Sequence, residues 1–169
     1  MRMRVIHACS NLVARLLVLL AMAGTSIGSG ASDKPSAIEL LGRPGHVLIL
    51  RHANAPGVGD PPGMTLDDCA TQRNLDERGK RQATQLGEHL RAAGISGVRV
   101  YTSQWCRCRD TARLLGVGPV EDLTALNSFF DQPGTRDATL KALRGFLDTL
   151  PRDGRPVVIF PEGRPTRTG

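Results

Sequence analysis

The chain has 169 residues, 40% of them hydrophobic, 22% charged and only 4% aromatic, with a formal net charge of +6. That length suits one domain with a sizeable core of its own. The scarce aromatic residues and scattered arginines exclude the stacking platform or basic stripe by which a protein holds nucleic acid.

Arg2, Arg4 and Arg15 precede the apolar run Leu16 to Ala23, and the small residues Ser29-Gly30-Ala31 follow at a cleavage-like position. This pattern predicts a signal peptide over 1–31 and an exported chain, periplasmic or secreted, with no membrane attachment after cleavage. The run is short for a bilayer span, and Cys9 lies upstream of it, which argues against a lipid-modified cysteine at the cleavage point. Cleavage would leave 138 residues and lower the net charge to +3, an ordinary value for a soluble domain. Residues 32–45, with Pro35 and Pro44, read as a short N-terminal arm before a domain over 46–169.

At His46-Val47-Leu48-Ile49-Leu50-Arg51-His52-Ala53-Asn54 an aliphatic run stops at a basic pair, and a loop rich in glycine and proline follows. The pattern predicts a buried parallel strand that delivers Arg51 and His52 to its carboxyl end, where open α/β sheets bind ligands. An imidazole beside a guanidinium can meet a phosphate as an uncharged nucleophile. By itself such a pair more often marks a plain surface loop.

Ala83, Leu86, Leu90 and Ala93 then recur at helical spacing, with Asp76 as a candidate cap and Gly94 as a stop. His89 on this helix reads as a solvated side chain. Val98 to Thr102 alternates and β-branches, which predicts a second strand. Ser103 is the expected cap of a helix through Trp105 to Leu115 that ends at Gly116. Arg107 then falls in the first turn of a helix that starts at a strand's carboxyl end, where its guanidinium and the free backbone amides can act on one anion.

Three ordered segments together resemble the histidine phosphatase superfamily, also called phosphoglycerate mutase-like. They are Leu50-Arg51-His52-Ala53, Arg73-Asn74-Leu75-Asp76-Glu77-Arg78-Gly79-Lys80-Arg81-Gln82-Ala83, and Ser103-Gln104-Trp105-Cys106-Arg107-Cys108-Arg109-Asp110-Thr111-Ala112. The resemblance spans roughly His46 to Phe160. It implies phosphoryl transfer through a phosphohistidine, with His52 as nucleophile and Arg51 and Arg107 holding the phosphate oxygens, and it requires no metal or other cofactor. A zinc site built from Cys69, Cys106 and Cys108 lacks a fourth ligand at normal spacing.

The resemblance also implies a carboxylate that protonates the leaving oxygen. Asn127 stands where many members carry a glutamate, and an amide cannot donate and recover a proton as a carboxyl group does. Asp131, beside the aromatic pair Phe129-Phe130, is the candidate, although a turn residue before Gln132-Pro133-Gly134 explains it equally well. Leu140 to Leu150 marks a further amphipathic helix, and Pro156 to Phe160 a final strand. There the resemblance implies a second active-site histidine, but no histidine follows His89 in this sequence. The C-terminal part of the domain is therefore expected to be incomplete, through truncation, frameshift or natural variation. Hydrolysis at least about a hundredfold slower than in an intact relative is expected, by analogy with the loss of one preorganised donor.

In an oxidising compartment Cys69 is expected to pair with Cys106 or Cys108, with Cys106 preferred and the other cysteine buried as a small apolar residue. The expected fold is α/β, a three-layer sandwich around a mostly parallel central sheet, histidine phosphatase-like. The expected function is that of an exported phosphatase acting on a small phosphorylated molecule. The alternative is a non-catalytic phosphate-binding module on the same fold. The loop from Asn54 to Gln72, which would shape the pocket, has no composition diagnostic of a substrate.

Overall fold

Four short aliphatic runs line up as one sheet. The computed structural model describes residues 36–129 and 133–163. In it, β1 (Val47–Ile49), β2 (Arg99–Thr102), β3 (Val120–Asp122) and β4 (Val157–Phe160) are ordered β1-β4-β2-β3, and every neighbouring pair is parallel. All four carboxyl ends therefore open on the same side of the sheet. The expected signal peptide and Asp131 lie outside the described residues.

Four helices complete the described fold: α1 (Ala37–Leu41), α2 (Glu77–Ala92), α3 (Cys106–Leu115) and α4 (Arg136–Thr149). Alternation along β4 shows how they form three layers. Val158 and Phe160 face a core shared with Leu90, Cys108, Ala112 and Leu115 of α2 and α3. Val157 and Ile159 point the other way, into a cluster with Leu126 and with Leu143 and Phe146 of α4. Every residue of β4 is buried, which explains why it reads as an unbroken apolar run. Tyr101 and Phe146 meet edge to face with ring centroids 4.7 Å apart, fixing α4 on β2.

The first strand differs from its expected burial. Val47 and Ile49 are in register with Val157 and Ile159, on the face that α4 covers, yet they are 36% and 50% exposed. β1 is the sheet edge, and the apolar side chains of α4 pack over β4 and β2 instead. Only Leu48 turns inward, onto the opposite core.

Helix starts follow local chemistry in two cases and tertiary chemistry in a third. Ser36 and Glu39 form a reciprocal capping box on α1, so the segment expected as an arm contains a helix, and it plants Leu41 in the core at 2% exposure. Asp76 caps α2 as expected, its carboxylate accepting the Gly79 N–H at 2.7 Å. Ser103 does not cap α3. It is buried, its N–H donates to the Phe160 carbonyl, and the helix begins after Trp105 with no capping side chain of its own. The Cys106 N–H is satisfied from a distant loop, by Gln72 Oε1 at 2.9 Å. A disulfide joins Cys69 of that loop to Cys106, with the two Cα atoms 5.7 Å apart. Cys108 is a buried free thiol, and burial pushes its pKa up.

Candidate active site

His52 lies just past β1, at the end of the sheet where the strands' carboxyl termini gather. Its Nδ1 is 2.7 Å from the Ala53 carbonyl, and a carbonyl only accepts, so Nδ1 carries the proton. In the neutral ring the lone pair is then on Nε2, which is buried and has no hydrogen-bond partner among the described residues. Burial lowers the pKa of the ring, and the Arg51 and Arg107 charges act in the same direction against the Ala53 bond and the Glu162 charge. The imidazole is thus biased toward its neutral form, with an unpartnered nitrogen.

The strand end is tied to two helices. The Ala53 N–H donates to Thr111 Oγ1 at 3.0 Å, and the Thr111 hydroxyl donates to the Arg107 carbonyl at 2.7 Å. One threonine of α3 thus couples the His52 loop to the turn that carries Arg107. Asn54 donates to Asp76, the cap of α2. Gly79 sits so close beneath this turn that a Cβ there would be 2.1 Å from the Asn54 carbonyl oxygen, so only glycine allows the helix start to dock.

Arg107 is in the first turn of α3, as expected, and 3% exposed. It pairs with two carboxylates, Asp60 at 2.7 Å and Glu162 at 2.9 Å. Asp60 also accepts from the Arg73 N–H and from Trp105 Nε1. Burial acts to raise its pKa, but the Arg107 fork and the Arg73 N–H hold it below the usual carboxylate value. The Arg73 guanidinium donates to the Gly59 and Ala55 carbonyls and steadies the same loop. Arg51, by contrast, is exposed and makes no hydrogen bond or ion pair among the described residues.

After β4, where the resemblance implies a second histidine, the structure places Glu162. Its side chain is 8% exposed, it bonds Arg107 and the Cys108 thiol, and its N–H donates to the Leu126 carbonyl. Asn127 is occupied by Gln104, accepting its N–H at 2.9 Å and donating to its side-chain oxygen at 2.8 Å. Among the described residues no group of three or more His, Cys, Asp or Glu is arranged to hold a metal ion.

Asp60, Gln72, Arg73, Thr111 and Glu162 all serve this site, and none stood out as a site residue in the sequence. Thr111 and Arg73 belong to the recognised segments and offered a signal. Asp60, between Gly59 and Pro61, and Glu162, after Pro161, carry no local pattern that reveals a partner about fifty residues away.

Residues 47–128 match the histidine phosphatase superfamily (branch 1), and this stretch holds β1 to β3, with His52 just past a strand of the all-parallel sheet. No curated protein matches the chain. Among solved structures, similarity extends to one provisionally assigned as the phosphohistidine phosphatase SixA from Agrobacterium tumefaciens, with 17% identity and a TM-score of 0.47, covering 68% of this chain and 67% of that one. A protein with the same provisional assignment from Nakamurella multipartitia has 22% identity and a TM-score of 0.48, covering 68% of this chain and 57% of that one. The protein histidine phosphatase SixA complexed with tungstate has 21% identity and a TM-score of 0.42, covering 68% of this chain and 66% of that one. The chain thus spans between 57% and 67% of the length of these three structures.

Proposed function

We propose that this chain is an exported phosphatase that hydrolyses a phosphomonoester of a small molecule through a phosphohistidine on His52. The observation that carries this reading is the state of His52, whose proton is held on Nδ1 by a backbone carbonyl while Nε2 is left with an unshared pair. Attack by that pair forms an N–P bond as the bond from phosphorus to the leaving oxygen breaks. The leaving oxygen takes a proton from an acid, for which Asp131 is the proposed donor. Water then attacks phosphorus and gives a proton back to the Asp131 carboxylate, the N–P electrons return to Nε2, and inorganic phosphate is released. Arg51 and Arg107 are the proposed holders of the peripheral oxygens, over which the charge of a transferring phosphoryl group spreads. Export rests on the sequence pattern of residues 1–31.

Incubation with a generic aryl phosphate should leave an acid-labile phosphate on His52, detectable by mass spectrometry at neutral pH, and His52→Ala should abolish both label and turnover. A label that survives in the His52→Ala protein removes the nucleophile assignment. The second reading, a phosphate-binding module without turnover, is favoured by the commitment of Arg107 to two carboxylates. Phosphate binding with neither label nor turnover would mark it.

A further inference from the structure

A guanidinium offers five N–H groups, and four of those on Arg107 are already engaged. Nε–H donates to Glu162 Oε2 at 2.9 Å. Nη1 donates to Asp60 Oδ1 at 2.7 Å and to the Arg73 carbonyl at 3.1 Å, and Nη2 to Asp60 Oδ2 at 3.0 Å. Asp60 takes both prongs of the fork, the bidentate geometry in which arginine clamps a phosphate. With the Arg73 N–H at 2.9 Å and Trp105 Nε1 at 3.1 Å, its carboxylate has four donors converging on it, as a bound oxyanion would.

The second observation is His52. The ring is 8% exposed and its Nε2 is both buried and unpartnered, while Glu162, Arg51 and Arg107 all act electrostatically on it. The nucleophilic nitrogen and the phosphate-clamping fork are therefore both closed, one by burial and one by an internal anion. That anion comes from a loop whose tip residue Val58 is fully solvent-exposed and in which Gly57, Gly59 and Gly63 take positive φ.

We propose that Asp60 is a built-in competitor for the phosphate position, and that a phosphate group binds by displacing its carboxylate from the Arg107 fork. The inference rests on the reading of His52 and Arg107 as a phosphate site. A tethered carboxylate acts at an effective concentration of order millimolar or higher, so a free monoanion of similar strength displaces it poorly. A phosphate dianion brings more charge and more acceptor oxygens to the same fork. Asp60 thereby sets both the weakness of phosphate binding and its selectivity for doubly charged groups.

Inorganic phosphate titrated into the full chain by calorimetry tests this, with the indole N–H resonance of Trp105, the one tryptophan in the sequence, as a direct reporter of the Asp60 contact. Asp60→Asn should tighten phosphate binding by about tenfold or more, the scale of one charge-assisted hydrogen bond. That gain should vanish when Arg107→Gln is added. In the unaltered chain the indole resonance should shift as phosphate saturates. Unchanged or weaker binding by Asp60→Asn overturns the proposal, and so does an indole resonance unmoved at saturation, a result that needs no variant to fold. If no protein in the set binds phosphate, the phosphatase reading falls with it. If an aryl phosphate labels His52 but saturating inorganic phosphate leaves the indole unmoved, the competitor role alone is lost.

Discussion

Arg51 and Arg107 are expected to hold the same anion, yet the structure gives them opposite surroundings. Arg51, at the end of β1, stands exposed and unpaired among the described residues, whereas Arg107 is buried and fixed by Asp60 and Glu162. The difference is one of neighbours. β1 is an edge strand that ends in a solvent-facing loop, while the first turn of α3 is enclosed by the loop that carries Asp60, the disulfide of Cys69, and the segment after β4. Two cations delivered by equivalent strand-end geometry can therefore differ fully in how available they are. Arg51 is an exposed charge, and Arg107 is a structural hub that, on the proposed reading, is released before it clamps a phosphate.

The largest expected effect comes from breaking the hub. Arg107→Ala strands two nearly buried carboxylates and should cost about 3–5 kcal/mol of stability, read from the midpoint of denaturant unfolding. Adding Asp60→Asn and Glu162→Gln to Arg107→Met should recover much of that loss, since no buried charge is then unpaired. Recovery that fails would mean that Arg107 holds the fold by packing and not by charge.

A smaller effect is expected at His52, on which both arginines act electrostatically. Burial holds its folded-state pKa below the unfolded value of about 6.5, so the unfolded chain binds the proton first as pH falls. The burial of neutral His52 therefore leaves stability undisturbed above about pH 6.5 and draws it down as pH falls from there toward the lowered folded pKa. Between pH 7.5 and pH 5 the unfolding midpoint of the native chain should drop more steeply than that of His52→Gln. Parallel slopes would show that His52 is not held neutral by its site.

The smallest effect belongs to Arg51. Arg51→Ala should change stability by no more than about 0.5 kcal/mol, because nothing among the described residues leans on it. It should still weaken phosphate binding. A large loss of stability would contradict the contrast between the two cations, and unaltered phosphate affinity would remove Arg51 from the site.

Much of the frame was legible in the chain itself. The strands near residues 47, 98 and 157, the Asp76 cap and the Gly116 stop of the helix that ends at Leu115 follow from periodicity and capping, which are local. β3 was harder to delimit, because Val120-Glu121-Asp122 is three residues long and two of them are acidic. The burial of β1 was misjudged for a different reason. An aliphatic run announces a strand but not its place in the sheet, and only the order β1-β4-β2-β3 makes this one an edge. The last strand, by contrast, is covered by α4 and Leu126 on the face where Val47 and Ile49 of β1 remain exposed.

By itself the sequence determined the class of sheet, the delivery of His52 and Arg107 to one end of it, and the candidates for the disulfide, because each depends on spacing along the chain. Only the tertiary structure decided that Gln72, not Ser103, satisfies the start of α3, that Thr111 couples the His52 loop to Arg107, and that Asp60 and Glu162 occupy the guanidinium. Apart from the Thr111–Arg107 bond within α3, those contacts join residues 34 to 58 positions apart. Nothing in local propensity encodes them; they exist because parallel strands, with their long crossovers, gather distant loops at one edge of the sheet, where unpaired buried charges must find each other.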